Sequence, residues 1–380
     1  MKYYIIAGEA SGDLHGANLI KQLKAQDAAA DVRCWGGDKM QAAGGVVVKH
    51  INDLAFMGFF EVLKHLPTIL GNISFCKKDI LAYQPDVVLL IDYPGFNFRL
   101  FEFLKQHHIK IFYYISPQLW AWKKGRVKKV KKYVDRMFVI FPFEKDFYEK
   151  NGVQVDYVGH PLLDELQSSK FEVQSEQPNI IALLPGSRKQ EISHLLPEYL
   201  KVVDEFPQYK FIVTGMSGIG EGFYRNIIVN KNVELIMDDT YGVLKKSKAA
   251  IVTSGTATLE TALHNIPEVI CYKGSPISYF IINALIDKSI GFICIVNLIC
   301  GKRVVEELIQ TDVNKNRLVA ELKKITEGEE RQRILNDYEL LRQKLGNAGA
   351  SKRAAELMLH YLNPSLKKDS GNQQAKQKFL

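Results

Sequence analysis

The sequence predicts an α/β protein built of two similar doubly wound domains. Three observations predict it. Short apolar runs alternate with helix-like segments through both halves of the chain. Runs such as Val87–Ile91 are apolar throughout, as parallel strands covered on both faces are. Two runs end in turns of small residues, Leu184-Pro185-Gly186-Ser187-Arg188 and Ser254-Gly255-Thr256-Ala257. Each turn stands where a helix should begin, so backbone N–H groups and the positive helix end can meet an anion. Two such turns in one half of the chain point to a diphosphate, and so to a nucleotide-linked substrate.

In the first half, Tyr3–Ala7 reads as a strand and Asp13–Ala25 as a helix. Val32–Gly36, Val87–Ile91, Ile109–Ile115 and Met137–Ile140 read as further strands. In the second half, Ile180–Leu184, Lys210–Val213, Val233–Ile236, Ala249–Val252 and Glu268–Cys271 repeat the plan. Leu318–Leu341 is a long charged helical region. The polar stretch Leu166–Pro178 marks the boundary, with domains expected at 1–168 and 169–344. Residues 365–380 read as a disordered polar tail. A substrate is expected at the carboxyl ends of both sets of strands.

With 380 residues, 47% hydrophobic and 24% charged, the composition is that of a soluble globular protein of two ordinary domains. The five cysteines form no CxxC pair and no metal spacing, which favours reduced, buried thiols. The start does not read as a secretory signal, and no run reaches the roughly 18 apolar residues of a membrane span. The net charge of +8 allows nucleic acid, acidic lipid or phosphorylated small molecules as partners. No nucleic-acid-binding motif appears, so nucleic acid is not expected.

Several side chains stand where chemistry needs them. Gly8-Glu9-Ala10-Ser11-Gly12-Asp13 follows the first strand and does not fit the dinucleotide fingerprint. Either this is a tight strand-to-helix turn with Ser11 or Asp13 as the N-cap, or Glu9, Ser11 and Asp13 bind an acceptor's hydroxyls or phosphate. Asp92 ends a fully apolar strand, where a carboxylate stripped of water has a raised pKa and can take a proton from a hydroxyl. The alternative is a loop-capping aspartate. Trp120 and Trp122 either pack against a helix or line a sugar site. Arg188 suits a diphosphate, and Glu191 follows three residues later. Ser254, Gly255 and Thr256 offer donors, and Glu260, one turn on, suits ribose hydroxyls. His160 reads as a structural histidine. Asp238-Asp239 is poor grounds for a metal site. Lys123–Arg136 reads as a basic amphipathic helix, able to rest on anionic lipid or to pack on its own domain. Met57–Leu70 is unusually apolar, which suits either core burial or an exposed patch for lipid tails.

Taken in order, these motifs resemble the bacterial lipid-A-disaccharide synthase family. The marks are Gly8–Asp13, Met57-Gly58 with Glu61-Val62-Leu63, and Ile91-Asp92-Tyr93-Pro94-Gly95-Phe96-Asn97. Ser116-Pro117-Gln118, Trp120-Ala121-Trp122, Phe141-Pro142-Phe143-Glu144 and Gly159-His160-Pro161 follow. Leu184–Arg188, Ser254–Glu260 and Tyr272-Lys273 complete the set. Where the family has Leu-Pro-Asn, this chain has Ile295-Val296-Asn297, so Val296 replaces the proline.

The resemblance implies a GT-B glycosyltransferase fold of two Rossmann-like domains, with the last helices, about 345–364, crossing back to the first domain. It implies inverting transfer of a sugar from UDP-2,3-diacylglucosamine to the 6-hydroxyl of 2,3-diacylglucosamine 1-phosphate (lipid X). Asp92 is then the base. Gly186, Ser187, Arg188, Ser254, Gly255, Thr256, Glu260 and Tyr272 hold the UDP-sugar donor, Arg188 and the Ser254–Thr256 N–H groups at its leaving diphosphate and Glu260 at the ribose. Asn297 helps close the site, and Glu9, Ser11 and Asp13 position the acceptor. Met57, Phe59, Phe60, Val62, Leu63 and Leu66 contact acyl chains or membrane. No cofactor and no metal are implied. The expected location is the cytoplasmic face of the inner membrane, as a peripheral protein able to form a homodimer. The rival enzyme readings are a UDP-GlcNAc 2-epimerase and a peptidoglycan glycosyltransferase. The non-enzyme rival is a peripheral membrane protein that senses nucleotide.

Overall fold

Two all-parallel sheets carry the chain in a computed structural model that describes residues 1–54, 66–120, 124–168, 179–229, 231–274 and 291–363. The first sheet holds β1 (Lys2–Ile6), β2 (Asp31–Gly36), β3 (Val46–His50), β4 (Val87–Ile91), β5 (Lys110–Tyr114), β6 (Arg136–Val139) and β7 (Asp156–Tyr157). Their order is β3-β2-β1-β4-β5-β6-β7. The second holds β8 (Ile180–Leu184), β9 (Lys210–Gly215), β10 (Val233–Met237), β11 (Ser247–Thr253), β12 (Glu268–Tyr272) and β13 (Glu306–Ile309). Its order is β10-β9-β8-β11-β12-β13. Both orders are doubly wound, and each reverses once, between β1 and β4 and between β8 and β11. Ligands bind outside the carboxyl ends of the strands at such switch points. The turns after β1 and β4, and after β8 and β11, are the motif-bearing ones.

The central strands form around runs of apolar, buried residues. Val87 to Leu90 have no exposure at all, and Ile181 to Leu183 likewise. Three strands, β3, β7 and β13, go beyond the sequence expectation. β3 and β13 carry charged or polar residues and β7 is two residues long, so their apolar signal is weak. The charged region Leu318–Leu341 is two helices, Lys315–Thr326 and Glu329–Leu345. Gly328, with φ of +84°, separates them in a backbone region that favours glycine.

The chain divides into two units, Lys170–Gly346 and Met1–Ser169 joined by the segment from Asn347. In the first unit the helix Ala350–Leu362 is capped by Asp164, whose carboxylate accepts from the backbone N–H groups of Gly349 (2.5 Å), Ala350 (3.0 Å) and Ser351 (3.0 Å). Arg353 then donates to the carbonyls of Val158 (2.8 Å), Asn347 (2.9 Å) and Ala348 (2.8 Å). A Cβ at Gly159 would collide with the Arg353 guanidinium, which explains the glycine of Gly159-His160-Pro161. His160 is buried, accepts from the Leu162 N–H at 3.2 Å, and burial pushes its pKa down to about 3. It is a neutral structural histidine.

In the basic segment, the helix Val127–Tyr133 turns Val127 and Val130 into its own domain's core and leaves Lys128, Lys129, Lys131 and Lys132 exposed. Its apolar stripe is thus spent internally. Trp120 is buried against Phe143 at 4.9 Å in an edge-on contact, the packing alternative for that residue. Met57, Phe59, Phe60, Val62, Leu63 and Trp122 lie outside the described residues. Leu66 opens the helix Leu66–Tyr83, which presents Leu70, Phe75 and Leu81 to solvent. All five cysteines are buried and form no disulfide. Among the described residues, no helix is long and apolar enough to cross a membrane.

Candidate active site

In the first unit, β4 delivers Asp92 to the switch point through a strained turn. Asp92 (φ +41°) and Tyr93 (φ +45°) are consecutive non-glycine residues in the left-handed region, and Ile115 (φ +63°) joins them at the end of β5. A β-branched residue there is an outlier, and each such residue costs of order 1–3 kcal/mol. The surroundings hold the strain in place. The Asp92 N–H faces the Tyr114 and Ile115 carbonyls at 3.4 and 3.3 Å. Its carbonyl accepts from the Tyr113 hydroxyl at 2.5 Å and the Asn97 amide at 2.7 Å. Backbone groups take all these bonds; the carboxyl group itself is met by the Tyr93 N–H. A Cβ at Gly8 would run into the Tyr93 ring, so the glycine after β1 makes room for this turn.

Burial first, and the nearby Glu9 carboxylate second, push the Asp92 pKa up to about 7, against a Tyr93 N–H that favours the charged form. A carboxylate with that pKa suits a base that works near neutral pH. Glu9, partly exposed, is the N-cap of the helix Ala10–Gln26, and Ser11 is exposed beside it. Asp13 is a correction. It is 4% exposed, and its carboxylate accepts from the N–H groups of Gly37 (2.6 Å), Met40 (3.0 Å) and Lys39 (3.1 Å). It caps the start of the Asp38–Ala42 helix and is spent on the scaffold.

In the second unit, the turn after β8 places Gly186 at φ +108° and Arg188 at the N-cap of the helix Lys189–Leu200. Its donors are already gathered on one carboxylate. Glu191 accepts from the Ser187 N–H at 3.3 Å and from the Arg188 guanidinium at 2.8 Å, and a Cβ at Gly186 would lie 2.8 Å from its Oε2. In the sequence Glu191 reads only as a companion of Arg188. Its position three residues after the N-cap, where a capping-box acid reaches back, is the signal that could have found it.

After β11, the helix Thr256–Leu263 begins at an open Gly255, where a Cβ would meet nothing within 4 Å beyond its own chain neighbours. Gly255 and Thr256 are exposed and head the helix, where backbone donors lie outside its ladder. Ser254 is a partial correction: its N–H donates to the Cys271 carbonyl at 2.9 Å, which leaves its side chain alone for a ligand. Glu260 lies one turn on. It accepts from the Tyr241 hydroxyl at 3.1 Å, and burial raises its pKa. Tyr272 ends β12, partly exposed, paired with Ile309.

Asn297 is a further correction. It is fully buried; its amide N–H groups donate to the Val305 carbonyl (2.9 Å) and Glu307 (2.8 Å), and its oxygen accepts from Val304 (2.7 Å) and Val305 (3.0 Å). Every polar atom of the side chain is satisfied, so it braces the loop before β13. Asp238 accepts from the Ser217 N–H at 2.9 Å, and Asp239 caps Gly242 at 3.0 Å. Among the described residues no group of three potential ligands is placed to hold a metal.

A protein-family model described as Lipid-A-disaccharide synthetase matches residues 3–361. The chain belongs to this family. It is 40% identical over 376 residues to the lipid-A-disaccharide synthase of Syntrophus aciditrophicus, covering 95% of this chain and 98% of that one. It is 38% identical over 372 residues to that of Geobacter metallireducens, covering 94% and 96%. The chain is therefore a glycosyltransferase. Among solved structures it is similar to a UDP-GlcNAc 2-epimerase of Neisseria meningitidis bound to UDP-GlcNAc, with TM-score 0.66 and 13% identity over 94% of this chain and all of that one. It is also similar to S. aureus MnaA in its co-structure with UDP, with TM-score 0.68 and 15% identity over 95% and 97%. Likeness at that identity carries the fold alone, the two-domain GT-B class, and leaves the family to the sequence relatives.

Proposed function

We propose that this synthase transfers 2,3-diacylglucosamine from its UDP conjugate to the 6-hydroxyl of 2,3-diacylglucosamine 1-phosphate. The product is the β-1,6-linked disaccharide 1-phosphate, with release of UDP. The observation that carries this reading is Asp92, held in a strained turn at a switch point with its pKa raised to about 7. Its carboxylate takes the proton of the 6-hydroxyl as that oxygen bonds to the donor's anomeric carbon. The bond from that carbon to the UDP oxygen breaks on the opposite face, which inverts the configuration. The departing diphosphate takes its stabilisation from the Gly255 and Thr256 N–H groups, the helix end behind them, and Arg188. Glu260 accepts from the ribose hydroxyls. Glu9, whose charge reaches Asp92, and the exposed Ser11 orient the acceptor. No step needs a metal.

A lipid surface is the proposed working place, on the cytoplasmic face of the inner membrane. The exposed Leu70, Phe75 and Leu81 and the exposed lysines at 128, 129, 131 and 132 support it. Apolar contact and attraction to anionic headgroups together strengthen such binding. The deciding assay measures UDP release from UDP-2,3-diacylglucosamine with and without acylated acceptor. Release that depends on the acceptor supports the transferase. Acceptor-independent epimerisation of UDP-GlcNAc would overturn it.

Two substitutions test the diphosphate end. Arg188→Ala is expected to weaken UDP binding about tenfold by titration calorimetry, the loss of one charge-assisted contact. Glu191→Gln is expected to tighten it about fivefold. The amide oxygen still caps the helix, while a negative charge competing with phosphate for Ser187 and Arg188 is gone. Weaker binding in Glu191→Gln would show that the acid orients Arg188 instead.

A further inference from the structure

The loop after β10 supplies a side chain that no motif identified. The Thr240–Leu244 helix is capped by Asp239, whose Oδ1 accepts from the Gly242 N–H at 3.0 Å. That helix carries Tyr241 to the flank of the Thr256–Leu263 helix. There the phenol donates to Oε1 of Glu260 at 3.1 Å, and the ring lies over His264 with centroids 5.1 Å apart. His264 in turn is tied through Nδ1 to the Glu260 carbonyl at 2.8 Å. The Glu260 side chain and its own backbone are thus gripped by two neighbouring rings.

We propose that Tyr241 is a positioning residue for nucleotide recognition: it locks the Glu260 carboxylate so that Oε2 is presented to a vicinal diol, and thereby sets the preference for a ribonucleotide over a deoxyribonucleotide. This rests on the reading of Glu260 as the ribose acceptor given above. A carboxylate has two oxygens and one soft terminal torsion. With Oε1 held by the phenol, the torsion is fixed and one oxygen remains directed. Without the phenol the group rotates, and the incoming diol must order it at an entropic cost. Loss of one ribose hydroxyl should then matter less, because the hydroxyl no longer meets a prepared acceptor. A site built to bond a hydroxyl discriminates most strongly when its own polar group is buried and fixed, and Glu260 is half-buried and held by the Tyr241 phenol.

The test is titration calorimetry of the full chain with UDP and with 2′-deoxy-UDP. The wild type is expected to prefer UDP about tenfold. In Tyr241→Phe, which keeps the ring and its contact with His264, the preference should fall to within about twofold, chiefly through weaker UDP binding. Glu260→Gln should lose the preference as well, and adding Tyr241→Phe to it should change nothing further. If Tyr241→Phe keeps the wild-type preference while Glu260→Gln abolishes it, the positioning role is refuted and the ribose reading stands. If the wild type shows no preference between the two nucleotides, the ribose reading itself falls, and the role of Tyr241 with it.

Discussion

Asp92→Asn is expected to lower kcat by about a thousandfold while UDP affinity stays within about twofold. General-base catalysis contributes typically about 10² to 10⁴, and the amide keeps the shape of the side chain without its basicity. The residues proposed to hold UDP belong to the other unit, and Asp92 is proposed to act on the acceptor hydroxyl, so UDP affinity is expected to hold. Rate assays and calorimetry on one preparation check both halves of the expectation. A near-normal rate would remove Asp92 from the base role. The pH dependence has a definite sign. Only the ionised form accepts a proton, so activity should fall about tenfold per pH unit below about 7 and level off above it. Glu9→Gln removes the second cause of that raised pKa and should move the acid limb to lower pH.

Stability should move the other way. Asp92 has a folded pKa above its unfolded one, so its contribution favours the fold below the unfolded value and is lost as pH rises through about 7. Above that pH the fold carries a poorly solvated charge. Asp92→Asn should therefore hold or raise Tm at about pH 8 while activity collapses. A fall in activity accompanied by unfolding would not have that signature.

Asp13→Ala is expected to have the largest effect on stability, about 3–5 kcal/mol in urea or thermal unfolding. The substitution strips the partner from three N–H groups at the start of a helix, two of them in fully buried bonds, and leaves a hole beneath Gly37. Donors bonded to a charged group and then left bare cost of order 1–3 kcal/mol each, with partial recovery from water. Asp13→Asn should recover part of the loss, since one oxygen remains as acceptor. Were Asp13→Ala to fold with normal stability and lose only acceptor turnover, the capping assignment would be wrong.

Asp13 and Asp92 look alike in sequence. Each is an acid near the end of an apolar strand, in a turn that contains glycine. Their difference lies in what reaches the carboxylate. Three N–H groups from Gly37, Lys39 and Met40, over twenty residues away, converge on Asp13. At Asp92 the Tyr113 hydroxyl and the Asn97 amide go to its own backbone carbonyl, and the carboxylate meets a neighbouring N–H, that of Tyr93. Asn297 shows the same limit. Its four hydrogen bonds go to residues within ten positions, yet nothing local announces that loop geometry. Glu191 is a third case, a helix-capping acid in spacing and an occupant of anion donors in space.

What the chain's order of residues determined alone was the α/β class, the central strands β1, β4, β8 and β11, the two phosphate-type turns and the family. Those features are written in local runs, because a strand buried on both faces must be apolar along its whole length. The edge strands β3, β7 and β13, the division of the acids between scaffold and chemistry, and the grip of Tyr241 on Glu260 were decided only by tertiary structure. Hydrogen-bond partners are set by distances and angles between segments far apart in sequence, and a one-dimensional pattern does not carry those.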